Sequence, residues 1–218
     1  MKYLMIGSTM LLSSLGIGLI NNNVAHGELP DHVQTLIETK RCVRCDLSGA
    51  NFSGDDLSNV DLRGANLISA NLKSTILKAA DLTGAKLQSA KANGADLQAA
   101  QLNVANLSEA TLKGANLNGA DLRSIRAPKV NLQNADLNEA QMQGANLSHA
   151  NLKNIKAENA ELFAADLSHA NLENADLRGA DLENSDLTHA NLRGADLTGA
   201  NLIGSTMPIG MQLPESNR

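Results

Sequence analysis

The chain has 218 residues, a formal net charge of −5 and an aromatic content of 1%, with no tryptophan. This charge speaks against general affinity for nucleic acid, which needs clustered lysine and arginine, and so few aromatic rings leave no stacking platform for single strands. A core built almost entirely from leucine and alanine has to be narrow and regular.

The N-terminal segment is typical of a secretory signal peptide. Lys2 precedes a mostly apolar run, YLMIGSTMLLSSLGIGLI, and a small-x-small pattern, Ala25-His26-Gly27, follows where cleavage is expected. A retained membrane anchor is the alternative, because the run approaches the length that spans a bilayer. Serine, threonine and glycine interrupt the run and favour cleavage. We therefore predict a signal peptide over residues 1–27 and a mature protein without stable membrane insertion.

The segment that follows predicts a short helix. Asp31 is a suitable N-cap, and Val33, Leu36 and Ile37 share one helical face. Stacked β-structure leaves unpaired edges at its ends, and these have to be covered. We predict that residues 28–40 form a helical cap, with the helix itself at about 31–40.

Cys42 and Cys45 are the only cysteines, and both are expected to point into the structure that begins here. In an exported protein a disulfide is the first interpretation. Free buried thiols are one alternative. A redox-active CxxC, which needs a helix N-terminus to lower a thiol pKa, and a metal site, which needs further ligands, are the others.

From Cys42 to Met207 the sequence keeps a five-residue period without insertion or deletion. Of the 34 positions at this spacing, which we call centres, 27 are leucine; alanine usually stands two residues before, with aspartate or asparagine between. In an Ala-Asp-Leu triplet the first and third side chains share one side of an extended segment. The two residues that follow suit a turn, so four corners close a coil of twenty residues. Successive coils should lie about 4.8 Å apart.

This A(D/N)LXX pattern resembles the pentapeptide-repeat family over about residues 40–209. The resemblance implies an all-β solenoid, a right-handed quadrilateral parallel β-helix, here of about eight coils. Its hand agrees with the rule for parallel crossovers. We predict the β-helix over residues 41–209 and a tail over residues 210–218. Met207, Ile209, Met211 and Leu213 alternate, which predicts a short apolar flap at the C-terminal end; the protein is expected to be a monomer or an end-to-end dimer.

Four irregular places test this architecture. At Ile125 with Ala127, and again at Ile155 with Ala157, the inward pair exchanges sizes and conserves volume. Ala92 has no such compensation, so a local void or an inward shift is expected there. Asp55 occupies an inward alanine position, which is costly unless it is hydrogen-bonded, and we expect the hydroxyl of Thr75 one coil later to donate to it.

The twenty-residue coil sorts the surface into four faces with different charge. The basic face, centred on residues 52, 72, 92 and onward, carries five cations and one carboxylate; the acidic face, centred on 57, 77, 97 and onward, carries seven carboxylates and three cations. The other two faces come to −1 and −2. This polarisation suits docking to a partner, and solubility is the alternative explanation. On the basic face a column of amides predicts a ladder of hydrogen bonds: Asn131, Asn151, Asn171 and Asn191.

A histidine recurs every twenty residues, at His149, His169 and His189. All three stand two residues after a centre, so they should stack about 4.8 Å apart along one edge. Copying of a coil explains the recurrence, because the same column upstream holds other residues. The alternatives are a surface metal ion held by two imidazoles and repulsion between the rings as the pH falls near about 6.5.

No catalytic residue, cofactor site or enzyme activity is predicted, because a filled rod with flat faces offers no pocket. The sequence instead favours a non-catalytic exported scaffold or protein-interaction module with a protein partner. The segment CVRCDLSGAN is similar to that of exported cyanobacterial family members, which makes the periplasm or the thylakoid lumen the expected location. Some family members mimic the charge of DNA and bind DNA gyrase. That alternative requires a cytoplasmic protein and a denser acidic face.

Overall fold

The computed structural model describes residues 31–211. The predicted signal peptide, residues 28–30 of the predicted cap, and residues 212–218 of the predicted tail lie outside the described residues. The helix α1 spans Asp31–Thr39 and buries Val33, Leu36 and Ile37, which confirms the predicted helix and its apolar face.

The remainder of the described chain is a right-handed parallel β-helix. Each coil contributes single-residue bridges rather than extended strands, and every bridge joins a residue to the one twenty positions later. The first bridge pairs Arg41 with Asp61 and the last pairs Asp186 with Thr206. The twenty-residue coil predicted from the sequence is therefore confirmed along the whole rod.

Each corner is a four-residue turn that begins at a centre. The amide of Ala150 donates to the carbonyl of Leu147 at 3.0 Å, and His149 between them has a φ of 58°. A left-handed third residue with this hydrogen bond is the geometry of a type II turn, which glycine and asparagine adopt most easily. Other residue types occupy the same place, including the β-branched Val104 with a φ of 53°.

Hydrogen bonds between coils run along the rod. The amide of Leu147 donates to the carbonyl of Asp166 at 2.7 Å, and the amide of Asp166 donates back to Ala145 at 2.9 Å. The same pattern recurs from coil to coil, so most backbone amides of the inner coils are satisfied by backbone carbonyls.

The core is one continuous column of leucine and alanine from Val33 to Leu202. Both exchanged pairs are buried, with Ile125 and Ile155 each 3% exposed beside fully buried alanines, which confirms the predicted conservation of volume.

A small apolar cavity lies where the sequence predicts a void. It measures about 10 Å³, and Ala90 and Ala92 line it together with leucines of the coils on either side. A space this small and this apolar is expected to hold no water. The prediction for Ala92 is confirmed.

The C-terminal end differs from the predicted apolar flap. Met207 packs against the core, whereas Ile209 is 92% exposed and Met211 lies at the surface. The alternation fails because Met211 donates its amide to Pro208 at 3.2 Å, and this turn carries Ile209 outward. Among residues 31–211 no helix combines the length and the apolar character needed to cross a membrane.

Candidate functional site

The outward aspartate or asparagine before each centre has a structural task that the sequence analysis did not assign. The coil ladder leaves the amide just after the centre without a backbone acceptor. A side-chain oxygen accepts it instead: Asp186 accepts from the amide of Thr188 at 2.8 Å, and Asn116 from that of Asn118 at 3.1 Å. These are Asx-turns, and they explain why the family pattern requires aspartate or asparagine at this place.

Two positions without an aspartate or asparagine deal with the corner amide in other ways. Where Arg126 precedes the centre, the corner residue is Pro128, which has no N–H to satisfy. Where Lys156 precedes the centre, the amide of Glu158 donates to Asn138 of the previous coil at 2.8 Å. The pairing of Arg126 with Pro128 is the signal in the sequence from which this rule could have been inferred.

The structure places Cys42 and Cys45 in disulfide geometry across the first corner of the β-helix, with their Cα atoms 5.3 Å apart. Cys42 is buried and Cys45 is partly buried against the core. The sulfur of Cys42 lies 3.2 Å from the carbonyl oxygen of His32, in the first turn of α1.

The three histidines are brought together on one edge. The ring centroids of His149 and His169 lie 4.6 Å apart with an interplanar angle of 7°, and those of His169 and His189 lie 4.8 Å apart with an angle of 31°. These distances match the predicted coil spacing. All three side chains are exposed.

A metal ion shared by His149 and His169 does not fit their geometry. The nitrogen lone pairs of an imidazole lie in the plane of its ring, and the nearly parallel planes of His149 and His169 do not converge on one ion. Within residues 31–211 no group of three or more histidine, cysteine, aspartate or glutamate side chains is placed to hold a metal.

The acidic face is interrupted by an arginine network. Arg178 forms two hydrogen bonds to Asp176, at 2.7 and 2.8 Å, and a third to Glu158 at 3.0 Å. The hydrogen bonds from Arg178 hold the pKa of Asp176 below its usual range. Lys78 pairs in the same way with Asp96 at 3.2 Å. Basic residues of the same face therefore neutralise much of its negative charge.

The basic face divides into two halves. Towards the C-terminus Glu173 binds both Lys153, at 2.9 Å, and Arg193, and these hydrogen bonds lower the pKa of Glu173. Towards the N-terminus Lys73, Lys91 and Lys113 form no ion pair with any described residue; the described chain's ion pairs involve Arg41, Arg63, Lys78, Arg123, Lys153, Arg178 and Arg193.

The predicted amide ladder on the basic face is present as two pairs. Asn151 donates to Asn131 at 3.2 Å, and Asn191 donates to Asn171 at 3.0 Å. A second amide column, which the sequence analysis missed, follows the adjoining edge: Asn154 donates to Asn134 at 2.9 Å, and Asn174 donates to Asn154 at 3.4 Å.

The inward carboxylate of Asp55 is 2% exposed, and its Oδ2 has no hydrogen-bond partner among residues 31–211. The prediction that Thr75 donates to it is wrong, because the Thr75 hydroxyl donates to the backbone carbonyl of Phe52 at 2.7 Å. Burial raises the pKa of Asp55 from 3.8 to about 6.

The sequence analysis expected flat outer faces, but the outer surface is not uniformly flat. A shallow depression of about 570 Å³ opens near the first coils, where Arg41, Arg44 and Arg63 surround Gly64 and Gly84. It forms because those two corners carry glycine and leave space beside the arginine side chains. Arg41 and Arg63 are both paired with Asp61, at 3.2 and 2.7 Å.

The fold and the surface together define the class of protein. It is a filled, right-handed quadrilateral β-helix whose outer faces differ in charge, and no catalytic centre is recognisable among residues 31–211. The model of the family called Pentapeptide repeats matches the chain in eight copies, over residues 45–84, 80–119, 115–154, 129–162 and 165–204. The chain therefore belongs to the pentapeptide-repeat family.

Solved structures of the family resemble this chain to different degrees. HetL, a pentapeptide repeat protein involved in heterocyst differentiation regulation from the cyanobacterium Nostoc sp. strain PCC 7120, is 31% identical over 85% of this chain and 99% of its own, with a TM-score of 0.42. A trypsin-treated form of QnrB1, a plasmid-mediated fluoroquinolone resistance protein, is 25% identical over 77% of this chain and 79% of its own, with a TM-score of 0.37.

A pentapeptide repeat protein from the Arabidopsis thaliana thylakoid lumen is 22% identical over 88% of this chain and 79% of its own, with a TM-score of 0.21. No curated protein matches the chain.

Proposed function

We propose that the mature chain is a non-catalytic scaffold that binds another protein through its outer faces. The observation that carries this proposal is the contrast between interior and exterior. The interior is filled, with a cavity of about 10 Å³ at Ala92, and offers no room for a substrate. The exterior sorts its charge by face, which is the feature that orients a partner.

The proposed place of action is outside the cytoplasm, in the periplasm or the thylakoid lumen. Two features of the sequence support it. Residues 1–27 have the pattern of a cleavable signal peptide, and Cys42 and Cys45 are spaced to close the first corner by a disulfide, which persists in oxidising compartments. We propose that the pair is oxidised in the mature protein.

Affinity capture from extracytoplasmic extracts tests the scaffold. The bait is a tagged chain of residues 28–218, and one variant carries Glu139→Lys with Glu158→Lys on the acidic face. The matched control carries Glu161→Lys with Glu183→Lys, which changes the net charge equally on the face centred on residues 42, 62, 82 and onward. Loss of a reproducible partner from the first variant alone supports the proposal; no partner, or equal behaviour of both variants, contradicts it.

Gyrase binding by DNA mimicry is the second candidate, and the net charge of the acidic face favours it. The pairing of Arg178 and Lys78 with carboxylates of that face weakens the resemblance to a DNA backbone. An assay of gyrase supercoiling with the purified chain distinguishes the two functions. Inhibition that the Glu139→Lys, Glu158→Lys variant abolishes would favour the mimic over the scaffold.

A further inference from the structure

The cations of this protein that lack ion-pair partners are concentrated on one side of the rod. Of the sixteen basic residues between 31 and 211, seven form ion pairs with described carboxylates. Six of the other nine lie on two adjoining faces, the basic face and the face centred on residues 47, 67, 87 and onward. We call these six the cationic patch: Lys73, Lys86, Lys91, Lys113, Arg126 and Lys129.

The cationic patch is compact and exposed. Its residues lie within about three coils, which is about 14 Å along the axis. All six side chains are exposed, and Glu109 is the one carboxylate on these two faces between residues 66 and 134. Across the rod the charge reverses, because the remaining two faces come to −4 and −2. The molecule therefore presents one positive side and one negative side.

We propose that the cationic patch binds the surface of an anionic lipid bilayer, so that the rod lies along the membrane without entering it. This goes beyond the proposed protein partner and concerns a different side of the molecule. Five of the six cations are lysines, whose flexible stems and compact charges suit a diffuse layer of mobile headgroups. Arginine is the residue that matches a fixed carboxylate with two parallel hydrogen bonds, and the patch has one.

A protein segment fits the patch less well. The backbone groups of these coils are already used between coils, as where Leu107 donates to Arg126 at 2.7 Å, so an extended peptide finds no free edge to pair with. The surface depression near Arg44 lies on another face. What remains is a flat polar surface with projecting lysines, and its natural counterpart is another flat surface of opposite charge.

The histidine column extends the same edge. Lys129, His149, His169 and His189 occupy one column at intervals of one coil, so protonated imidazoles would continue the positive edge towards the C-terminus. Asp166 and Asp186 stand on the same face; the pKa of Asp186 is lowered first by hydrogen bonds from Thr188 and also by the neighbouring His169 and His189.

The adjoining basic face adds Lys153, Glu173 and Arg193 beside this column, and these three are paired with one another. Histidine side chains ordinarily change charge between about pH 5 and 8. Acidification therefore adds positive charge to this side of the rod, and we expect binding to strengthen as the pH falls.

Vesicle co-sedimentation tests the proposal with residues 28–218, which contain the whole described core. The probe is a vesicle of equal parts phosphatidylglycerol and phosphatidylcholine, and pure phosphatidylcholine vesicles are the lipid control. The test variant is Lys86→Asn, Lys91→Asn, Lys113→Gln; asparagine at 86 and 91 is, with aspartate, one of the two residues that usually occupy that repeat position. The matched control removes three cations from the other two faces: Lys78→Gln, Arg123→Gln, Lys156→Asn.

Each cation near an anionic surface strengthens binding about fivefold, so the test variant should bind the anionic vesicles on the order of a hundredfold more weakly. The control variant should bind like the wild type, and about 1 M salt should abolish binding. Melting followed by circular dichroism shows whether both variants fold. Equal loss in both variants, or no binding by the wild type, overturns the proposal. Binding to polyglutamate but not to vesicles also overturns it and assigns the patch to an acidic protein segment.

A separate variant tests the expected pH dependence of vesicle binding. His149→Asn, His169→Asn, His189→Asn keeps residues that accept the left-handed backbone, where the three φ values are 58–59°. Wild-type binding should be stronger at about pH 5.5 than at about pH 7.5, and the variant should lose this difference. A difference that persists in the variant refutes the role of the histidine edge.

Discussion

Filling the cavity at Ala92 should stabilise the protein, whereas the same change at another alanine centre should destabilise it. Ala92 stands where most centres are leucine, and its inward neighbour Ala90 does not compensate for the missing volume. Leucine stands one coil earlier at position 72 and one coil later at position 112. The substitution Ala92→Leu therefore places a side chain in a column that already accommodates it on both sides.

The size of the effect follows from the added surface and the remaining space. Leucine adds three carbon atoms, worth about 0.8 kcal/mol each when buried, or about 2.4 kcal/mol. Filling the cavity of about 10 Å³ adds only about 0.2 kcal/mol at 24 cal/mol per Å³. The rest of the leucine side chain needs an outward displacement of its neighbours, which costs part of the gain, so we expect a net stabilisation of about 1–2 kcal/mol.

Ala127→Leu is the matched control. Ala127 is also an alanine at a centre, but Ile125 already fills the space that leucine would take. Overpacking of this kind costs about 1–3 kcal/mol. Thermal and denaturant unfolding of both variants, followed by circular dichroism, should give shifts of opposite sign. Equal shifts, or destabilisation by Ala92→Leu, would refute the assignment of a packing defect to Ala92.

Three further predictions follow from single positions. Asp55→Ala should stabilise the protein by about 3 kcal/mol at about pH 8 and hardly at all at about pH 4. The reason is that burial raises the pKa of Asp55 from 3.8 to about 6, and each pH unit between these values changes the free energy of unfolding by about 1.36 kcal/mol. The sign is fixed by linkage: the wild type loses stability as the pH rises through about 6, and a pH-independent effect of the substitution in denaturant titrations would contradict this. Val104→Asn should raise the melting temperature, with a gain of about 1 kcal/mol, since asparagine tolerates the left-handed backbone that strains valine; an unchanged or lower melting temperature would count against strain. Asn131→Ala should cost about 1 kcal/mol, because the corner amide of Gln133 loses its acceptor, whereas Arg126→Ala should cost far less beside Pro128, which has no N–H; equal losses in unfolding experiments would refute the capping role.

The twenty-residue coil was predictable because the same five-residue pattern applies along the whole β-helix. A side-chain period of five with leucine and alanine inward fixes the coil at twenty residues, and even the irregular sites Ile125, Ile155 and Ala92 behave as volume requires. The helix α1 was predictable for the same reason, since its apolar face has to cover the first coil. Local packing against a repeating core leaves few alternatives.

The hydrogen-bond partners of polar side chains were harder to predict than the way apolar side chains fill the core. The hydroxyl of Thr75 had two acceptors within reach of its column, and the choice of the Phe52 carbonyl over Asp55 depends on angles that a period does not specify. The exposed position of Ile209 depends on one turn beyond the last complete coil, where no neighbour enforces the pattern. The cationic patch became visible only when the ion pairs of the other cations were known.

The measurement that tests the central claim most directly is the location and mass of the full-length chain after expression with a C-terminal tag. The account of an exported scaffold predicts recovery in the periplasm or the thylakoid lumen, as a species that lacks residues 1–27 and contains an oxidised Cys42–Cys45 pair. Recovery of the uncleaved chain in the cytoplasm, with both thiols reduced, would contradict export and favour the gyrase-binding alternative.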